Sequence, residues 1–568
     1  MRKKSERRYT PISTIRELGE KIADNGDKIL YRYYDTEGKL SEMSYAQFAQ
    51  MIRVQAAGFE KMGLAGKRIA IIGETSPEWV STYISGITAG NVMIPMDREL
   101  QISEIEGFLQ KASADAIVYS DSFHEKFQHA IAEHPTVRHF IPITGKNAVA
   151  SDGNKVTSFA DLMAMGRENL AAGYCPSDSG DTNHLSVMLF TSGTTGTSKC
   201  VMLSEKNICT AINAACSCVE FFPEDTIVSV LPIHHTYELC CHLAAINYGA
   251  TIGINDSLKH VIRNFALFQP TVLVLVPLFV STMNKKIWDE AKKSGKDKIL
   301  AAAIQIASGL EILGIDISGL LFKDVLAAFG GRLTRIICGG APLNPELVKK
   351  FAAFHIQISE GYGITECSPL ISVNPYYAPK SGSVGPTVQN CTARIEVESV
   401  DEKGHGIGEI QVKGDNVMLG YYEDAEETAN AFTEDGYFRT GDIGYMDEDG
   451  YIFITGRKKS VIVLENGKNV FPEEIEEYLG RIDTIAESVV VGRKAEGSDT
   501  VVLTAVVYPA YDKFEKDADP HEIQKAIRTE INHLNKKLAG FKQIHAVEIR
   551  TVPFEKTTSR KIKRHLVK

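Results

Sequence analysis

The sequence predicts an α/β protein, with a large N-terminal domain of parallel α/β sheets plus a small β region, and a small C-terminal α/β domain. Short apolar runs alternate with longer helical stretches through most of the chain. The pattern changes to short alternating segments near residue 382 and changes again after residue 456. The length of 568 residues is also too great for one compact core, so two or more domains are expected.

The first domain is predicted from continuous apolar strands that are separated by helices. Such strands indicate parallel sheets that are buried on both faces. Ligands of these folds collect at the carboxyl ends of the strands. We therefore expect the polar segments after Phe190, Cys338 and Ile358 to meet in one crevice. The clearest strand candidates are residues 69–72, 116–119, 272–276 and 335–338.

The later part of the chain carries different signals. Turn dipeptides at Lys403-Gly404, Asp435-Gly436 and Asp449-Gly450 indicate a small antiparallel β region. Beyond it, strands are predicted at 488–491, 501–507 and 546–549, with one helix before the last strand. Asp519 can cap this helix, and Pro520 suits its first turn. Its apolar stripe consists of Ile523, Ile527, Ile531, Leu534 and Leu538.

Composition excludes several classes of protein. Hydrophobic residues make up 44% of the chain and charged residues 24%, as in soluble globular proteins. A net charge of −10 argues against a general nucleic-acid binder, because phosphate contacts require a cationic face. The longest apolar run, residues 272–280, is broken by Pro277 and is too short to span a bilayer.

The N-terminal segment and the cysteines predict the location. Residues 1–8 are basic but lack the apolar stretch of a signal peptide. A solvated end and contact with an anionic membrane surface both fit this segment. The 10 cysteines lack the spacing of a zinc site and fit reduced thiols. We therefore expect a cytoplasmic protein, with peripheral contact at the inner membrane face as the alternative.

The first motif, TSGTTGTSK at residues 191–199, follows the apolar run 185–190. Its dense hydroxyls and glycines and its lysine indicate a cradle for phosphate, with a flexible turn as the alternative. Counted from Gly193 on the P-loop template, the second glycine falls on Ser198 and the magnesium-holding hydroxyl on Cys200. A thiol is a poor partner for a hard cation. This is not a Walker A loop, and Mg²⁺ needs a carboxylate from elsewhere.

The second motif, SEGYGITECS at residues 359–368, supplies such a carboxylate. Gly361 and Gly363 let a flat ring approach the backbone, Tyr362 can stack on that ring, and Glu366 can hold a metal. Alone, the segment is a strand-to-loop turn with an ordinary surface glutamate. Together with the first motif, it predicts a nucleotide site.

These clusters resemble one family when three further segments are added. The segments are Thr440-Gly-Asp442, Gly456-Arg457-Lys-Lys459 and the tail KTTSRK at 556–561. In this order they resemble the adenylate-forming superfamily of acyl-CoA synthetases, luciferases and peptide-synthetase adenylation domains. Any one cluster would be weak, but five in the same order are highly specific.

The resemblance implies that ATP activates a carboxylic acid, giving an acyl-adenylate and pyrophosphate, and that a thiol then takes the acyl group. Two anions approach each other, so catalysis is mostly charge neutralisation and positioning. Thr365 would bond the α-phosphate, and Glu366 and Thr191 would hold Mg²⁺. The other implied nucleotide contacts are Ser192, Gly193, Thr194, Thr195, Gly196 and Lys199 at the β- and γ-phosphates, Gly339, Gly340, Ala341, Gly361, Tyr362 and Gly363 at the adenine, and Asp442 with Arg457 at the ribose.

Lys561 is implied to bridge the substrate carboxylate and the α-phosphate. Thr557, Ser559 and Ile562 match the terminal pattern of the family, whereas a solvated tail charge is the alternative. Arg560 stands where the family usually has glycine, which changes the local turn.

The resemblance also implies a mobile C-terminal domain, because family members rotate it between the two steps. Lys459 matches the hinge position, and Ser460 stands where many relatives have aspartate. We therefore predict an N-terminal domain at residues 1–458 and a C-terminal domain at residues 459–568.

The acid and the acceptor are predicted from two segments. LPIHHTYE at 231–238 resembles the lining of the acyl pocket in fatty acyl-CoA synthetases, which makes His235 a pocket residue; a satisfied core histidine is the alternative. VLENGKNVFPEEI at 463–475 is similar to bacterial long-chain fatty-acid–CoA ligases. These features favour a medium-to-long-chain fatty acid with CoA as acceptor.

Two alternatives stay open. One is an acyl-[acyl-carrier-protein] synthetase, in which the carrier protein replaces CoA. The other is a non-catalytic regulator that binds an acyl group or a nucleotide on the same fold. Such a regulator is expected to lack the catalytic lysine or the metal acid, but Lys561 and Glu366 are both present.

Overall fold

In the computed structural model, the predicted strands form two large sheets and three smaller ones. The structure describes residues 9–143, 155–175, 181–191, 198–219, 221–312, 321–464, 469–494, 501–515, 518–556 and 562–567, and the account below concerns these residues. The strands are β1 Ile29–Tyr34, β2 Leu40–Ser44, β3 Arg68–Ile72, β4 Val92–Met96, β5 Ala116–Tyr119, β6 His139–Pro142, β7 Leu185–Thr191, β8 Lys199–Ser204, β9 Thr226–Ser229, β10 Thr251–Ile254, β11 Val272–Leu275, β12 Arg335–Gly339, β13 Gln357–Gly363, β14 Leu370–Asn374, β15 Cys391–Val400, β16 Gly406–Gly414, β17 Gly420–Tyr421, β18 Phe438–Met446, β19 Ile452–Arg457, β20 Ile462–Val463, β21 Asn469–Val470, β22 Ile485–Lys494, β23 Val501–Pro509 and β24 Ala546–Ile549.

Helices follow most of these strands. Several begin at side-chain caps, for example at Ser44, Ser76 and Ser204, whose hydroxyls accept a backbone N–H of the first turn. The α-helices are α1 Ile15–Lys21, α2 Tyr45–Lys61, α3 Pro77–Thr88, α4 Ile102–Lys111, α5 Gln128–Glu133, α6 Phe159–Ala171, α7 Glu205–Cys218, α8 Thr236–Asn247, α9 Val261–Phe268, α10 Pro277–Lys293, α11 Asp297–Ile312, α12 Lys323–Ala327, α13 Pro345–Ala353, α14 Ala425–Ala431, α15 Pro472–Leu479 and α16 Pro520–Asn535.

The first large sheet has the strand order β17-β8-β7-β4-β3-β5-β6. Its inner strands are parallel, as predicted, and their apolar side chains form a core that includes Ile72, Ile117 and Met188. One edge is antiparallel instead, because β8 returns along β7 and β17 then pairs with β8. The connection between Thr191 and Lys199 is too short for the crossover that a parallel neighbour requires.

The second large sheet has the order β14-β13-β12-β11-β9-β10-β1-β2 and repeats this arrangement. Strands β9 to β13 pair in parallel over a core that contains Leu275, Ile336 and Phe351. At the edge, β14 runs antiparallel to β13 after another short connection, between Gly363 and Leu370. The two motifs predicted to bind the nucleotide are therefore both hairpin connections, one in each sheet.

The C-terminal part has three further sheets, of which the pair β20-β21 is the smallest. Strands β15-β16-β18-β19 form a four-stranded sheet, and β22-β23-β24 form a three-stranded one. Helix α16 begins at Asp519 and Pro520 as predicted, and its buried face includes Ile527 and Ile531. The stripe was predicted one turn too long, because Leu538 lies beyond the end of the helix. The chain turns at Asn535, whose side chain bonds the backbone of Ile544 in both directions.

The chain divides into two compact units. The first comprises Met1–Ser381, Gly385–Thr392 and Lys413–Gly436, and the second comprises Gly382–Val384, Ala393–Val412 and Tyr437–Lys568. Most of the four-stranded sheet thus groups with the C-terminal residues. The predicted domain boundary between residues 458 and 459 stays a prediction. None of the described helices combines the length and the apolar character that crossing a membrane requires.

Candidate nucleotide and acyl site

The ends of the first motif face each other across a strand pair. Thr191 and Lys199 are register partners at the tips of β7 and β8, and the Thr191 hydroxyl donates to the Lys199 carbonyl oxygen at 3.5 Å. Both residues are half-buried. The intervening predicted contacts, Ser192, Gly193, Thr194, Thr195 and Gly196, lie outside the described residues.

Among the described residues, the Lys199 ammonium contacts two side chains. Its Nζ forms an ion pair with the Glu427 carboxylate, and it lies 4.7 Å from the centre of the Tyr421 ring, within the range of a cation–π contact. Glu427 belongs to helix α14, where its N–H donates to the N-cap carboxylate of Asp424 at 3.0 Å. The lysine that the sequence predicts to bind phosphate is thus paired with the Glu427 carboxylate.

Glu366 reaches the same tyrosine from the second sheet. It lies in the 3₁₀ turn Thr365–Cys367 that follows β13, and its backbone carbonyl oxygen accepts the Met418 N–H at 2.8 Å. The Tyr421 hydroxyl donates to Glu366 Oε1 at 2.9 Å. Burial and the adjacent Glu366 carboxylate raise the pKa of Tyr421 above its usual value, so the phenol keeps its proton. Tyr421 therefore joins the two predicted motifs.

No sequence motif indicated a role for Tyr421 or Glu427. Tyr421 follows Glu366 by 55 residues and Glu427 follows Lys199 by 228, and both lie in a polar segment with no distinguishing pattern. Only the pairing of β17 with β8, with Tyr421 opposite Val201, brings them to the site.

A single carboxylate at this position suits magnesium. Within the described ranges, no three His, Cys, Asp or Glu side chains converge as a cage for a metal. Mg²⁺ is usually held by one or two carboxylates together with substrate phosphates and water, rather than by an all-protein cage. Glu366, with Thr191 at the tip of β7, is compatible with such a site, and their role as metal ligands stays a prediction.

The glycines of the predicted adenine contacts lie at the carboxyl ends of β12 and β13 in the second sheet. Gly339 is the register partner of Gly361, and a Cβ on Gly339 would lie 3.0 Å from the Gly361 carbonyl oxygen. Gly340 has a φ of +84°, which side chains other than glycine rarely adopt. Ala341 is exposed beside them, whereas Tyr362 is buried, so stacking of its ring on a base stays a prediction.

Tyr237, from helix α8, packs against these strand ends. Its ring would lie 3.3 Å from a Cβ on Gly339. Its hydroxyl donates to two carbonyl oxygens in neighbouring strands, Leu275 at 3.2 Å and Ile337 at 3.0 Å. Helix α8 is thus fixed against β11 and β12 under the glycines.

A small apolar cavity of about 20 Å³ lies on another side of α8. Its lining includes Tyr83, Leu189, Ile212, Leu239, Leu243 and Ser368. Ser368 is two residues past Glu366, and its buried hydroxyl has no hydrogen-bond partner among the described residues. At this volume the cavity has room for about one water-sized molecule. The cavity therefore begins at the turn that carries the predicted metal acid.

The predicted pocket histidine is close to this cavity but does not line it. His235 is the N-cap residue of α8, and the next residue, Thr236, contributes to the lining. The His235 ring centre is 4.2 Å from that of His234, which is buried and has its Nε2 3.6 Å from Asp97 Oδ2.

Glu238 is a buried acid in the first turn of the same helix. Ser229 donates a hydrogen bond to its Oε1, and its Oε2 has no partner within the described part of the chain. Burial raises the pKa of Glu238 to about 8, so the side chain is mostly neutral at pH 7.

In the second unit, the predicted ribose residues form a pair. Asp442 and Arg457 are register partners in β18 and β19, and Arg457 Nε lies 2.9 Å from Asp442 Oδ1. Asp442 is buried and Arg457 is half exposed. The predicted hinge residue Lys459 lies in the 3₁₀ turn that follows β19. Lys561 lies outside the described residues.

Two glycines two positions apart give a matched test. Gly363→Ala is expected to lower the free energy of unfolding by about 1–3 kcal/mol, because its Cβ would lie 1.8 Å from the backbone carbonyl oxygen of Pro369. In Gly361→Ala the nearest atom would be Leu370 Cδ1 at an ordinary 3.9 Å. This variant should keep its melting temperature but bind ATP more weakly in calorimetric titration. Equal melting temperatures for the two variants would contradict this account.

Glu238 predicts a pH-dependent stability. Between its ordinary pKa of 4.5 and about 8, the folded chain keeps a proton that the unfolded chain releases, so stability is lost as the pH rises through this window. Within this window, the free energy of unfolding falls by about 1.4 kcal/mol per pH unit because of this group. Glu238→Gln should therefore gain stability relative to the parent protein up to about pH 8, with no further gain above it, in unfolding curves measured across pH. Exposed Glu20→Gln is the control, and parallel profiles for Glu238→Gln and the parent would refute the prediction.

Comparisons with known proteins agree with this geometry. Among curated proteins, the chain is 29% identical over 489 residues to the long-chain-fatty-acid–CoA ligase FadD15 of Mycobacterium bovis, covering 83% of this chain and 78% of that protein. It is 27% identical over 583 residues to human long-chain-fatty-acid–CoA ligase 1, covering 95% and 82%.

Solved structures resemble the fold over nearly the whole chain. ATP-bound MatB from Rhodopseudomonas palustris has a TM-score of 0.71 at 25% identity and 98% coverage of both chains. The adenylation domain of a carboxylate reductase from Mycobacterium chelonae has a TM-score of 0.79 at 22% identity, covering 97% of this chain and 88% of that one. Family models describe residues 18–422 as an AMP-binding enzyme and residues 459–568 as the C-terminal domain of an AMP-binding enzyme. The chain therefore belongs to the AMP-binding enzyme family.

Proposed function

We propose that the protein activates a medium-to-long-chain fatty acid as its acyl-adenylate, releases pyrophosphate, and transfers the acyl group to CoA, with release of AMP. The observation that carries the proposal is the junction of the Lys199 ammonium and the Glu366 carboxylate at Tyr421, beside an apolar cavity that ends at Ser368. Phosphate, metal and acyl groups could all be placed at this junction. The named relatives, both long-chain-fatty-acid–CoA ligases, support the same reaction.

The roles of the side chains follow from the charge of the reactants. A carboxylate must approach the α-phosphate of ATP, so the site has to neutralise negative charge and hold the two groups in line. Lys199 would bind the outer phosphates, and Thr365 would donate to the α-phosphate. Glu366 and Thr191 would hold Mg²⁺, which when bound withdraws charge from the phosphates. Lys561 would join the substrate carboxylate to the α-phosphate.

The glycines, Asp442 and Arg457 complete the nucleotide contacts that we propose. The backbone of Gly339 and Gly361 offers a flat surface to the adenine, and the buried Asp442 carboxylate would accept from the ribose hydroxyls. The second step requires the C-terminal domain, residues 459–568, to turn at Lys459.

We propose that the apolar lining along α8 opens to receive an unbranched hydrocarbon chain. Thr236, Leu239 and Leu243 line it along one face of the helix, at the spacing that places residues on the same side. Thr236 and Leu243 are two turns apart, about 10 Å along the axis. An acyl chain that enters beside Ser368 would therefore run along the helix, with Leu243 far from the reacting carboxyl.

CoA and an acyl carrier protein present the same thiol to the acyl-adenylate. CoA also carries a 3′-phosphate, which needs a cationic contact. Loss of thioester formation with dephospho-CoA would favour CoA, whereas faster transfer to a carrier protein would favour the carrier. A regulator on the same fold would bind ATP and acid without exchanging pyrophosphate.

The test of the proposal is exchange of labelled pyrophosphate into ATP, measured over a panel of carboxylic acids with magnesium and without a thiol. Exchange that depends on a straight-chain acid is the expected result. If no acid supports exchange by a folded protein that binds ATP, the proposed activity is wrong.

Lys561→Ala is expected to slow this exchange by about 10²–10³-fold, the scale for loss of one preorganised charge stabiliser. Thioester formation from preformed acyl-adenylate should be largely spared, because the lysine is proposed to act only in the first step. Lys563→Ala removes a charge from the same tail and should leave both steps near the parent rates. An equal fall of both half-reactions in Lys561→Ala would contradict the assigned role.

Leu243→Phe is expected to shorten the cavity, because Leu243 is 1% exposed and lies far along α8. The preferred acid in pyrophosphate exchange should become shorter, with the longest acids losing about tenfold or more in kcat/KM, since pockets discriminate by about 1–3 kcal/mol per methylene. Leu278→Phe, at a position 47% exposed on α10, is the control. An unchanged ranking of acids would show that the chain does not enter this cavity.

A further inference from the structure

Tyr421 is shared by two groups to which the proposed reaction assigns different tasks. Its hydroxyl donates to Glu366 Oε1 at 2.9 Å, and its ring centre is 4.7 Å from Lys199 Nζ. One rigid side chain therefore spans the distance between the proposed metal acid and the proposed phosphate lysine. We propose that Tyr421 is a positioning residue that holds Glu366 and Lys199 at a fixed separation, and that Glu427 is the anion that Lys199 exchanges for the phosphates of ATP.

The backbone around Tyr421 is built to hold it in place. Tyr421 pairs with Val201 through the short strand β17, in the same sheet as Lys199. Its N–H donates to the Thr428 hydroxyl at 2.9 Å, and that hydroxyl donates to the Asp424 carbonyl oxygen at 2.7 Å. The tyrosine is thus fixed to the strand on one side and to helix α14 on the other.

The hydroxyl of Tyr421 constrains which way Glu366 points. A glutamate side chain has several rotamers, and a hydrogen bond from a neutral phenol to one carboxylate oxygen selects among them. Among the described residues Tyr421 bonds only Oε1, so Oε2 would be the oxygen offered to a metal. The phenol carries no formal charge, so it does not compete with a cation for the carboxylate as an ammonium ion would.

Glu427 plays a different part. Its carboxylate pairs with Lys199, whose side chain is 20% exposed, while its own is 38% exposed. A triphosphate and this carboxylate carry the same sign and compete for one ammonium. Because the pair is partly solvated, its strength is modest, and ATP can replace it.

This inference rests on the proposed function for the identity of the ligand, but its test does not need an acid substrate. The measurement is equilibrium binding of ATP by calorimetry, with magnesium titrated from zero and with a chelator present. If the parent protein binds ATP and magnesium but exchanges no pyrophosphate, the proposed function fails and the inference can still be tested.

Tyr421→Phe removes the hydroxyl and keeps the ring over Lys199. We expect ATP binding in chelator to stay within about twofold of the parent value, and the magnesium concentration for half-maximal enhancement of ATP binding to rise about tenfold, the scale for losing a hydrogen bond to a charged group. Tyr422→Phe is the matched control. Its hydroxyl accepts from Arg68 at 2.8 Å, away from both motifs, and its loss should leave the magnesium dependence unchanged.

A double variant separates positioning from general destabilisation. In Glu366→Gln the metal acid is already lost, so adding Tyr421→Phe should cause no further change in the magnesium dependence. A tenfold effect that persists in the Glu366→Gln background, or an unchanged magnesium dependence in Tyr421→Phe at a normal melting temperature, would overturn the role of Tyr421.

Glu427→Gln tests the exchanged anion and does not depend on the tyrosine variants. Removing the competing carboxylate should tighten ATP binding by about two- to fivefold, with or without magnesium, as expected for a partly exposed pair. Glu426→Gln, the adjacent acid on the same helix, is the control for loss of a nearby negative charge. Unchanged or weaker ATP binding by Glu427→Gln, or an equal gain in both variants, would show that Lys199 does not exchange Glu427 for phosphate.

Discussion

The site depends on one constraint: a short connection can only return the chain antiparallel to the strand that it leaves. Thr191 ends β7 and Gly363 ends β13, and each of these strands is parallel to its inner neighbour. In both sheets the polypeptide then turns back and pairs antiparallel with the strand that it has just left. Polar loops are therefore held at the carboxyl ends of parallel strands, but on hairpins with strand pairing on both sides, which fixes the ends of each loop within a few ångströms.

Two glutamates, Glu366 and Glu238, show how the environment sets the chemistry of one side-chain type. Glu366 receives a hydrogen bond from the Tyr421 phenol and lies in the turn between β13 and the edge strand β14. Glu238 is buried in α8, where its described hydrogen-bond partner is the Ser229 hydroxyl, and burial raises its pKa to about 8. A carboxylate can hold a metal ion, whereas a neutral acid in the core serves packing and hydrogen bonding.

Much of this was predictable because it is local. An apolar run followed by glycines and hydroxyls marks both loops, and the cap at Asp519 with Pro520 marks the start of α16. Pairing across the sheet was not predictable from one sequence, because nothing near Tyr421 indicates that it meets Glu366 or Lys199. The end of α16 was missed for a similar reason, since the turn at Asn535 depends on bonds to Ile544. The apolar periodicity of the sequence continues to Leu538, whereas the helix ends at Asn535.

Helix α8 has two faces with different neighbours. Thr236, Leu239 and Leu243 face the cavity, while Tyr237 reaches between β11 and β12 to the carbonyl oxygens of Leu275 and Ile337. The helix therefore lines the apolar cavity with one face and supports the strand end at Gly339 with the other. A ligand that displaced α8 would therefore also move Tyr237, so occupation of the cavity and the position of the strand end at Gly339 are coupled through this helix.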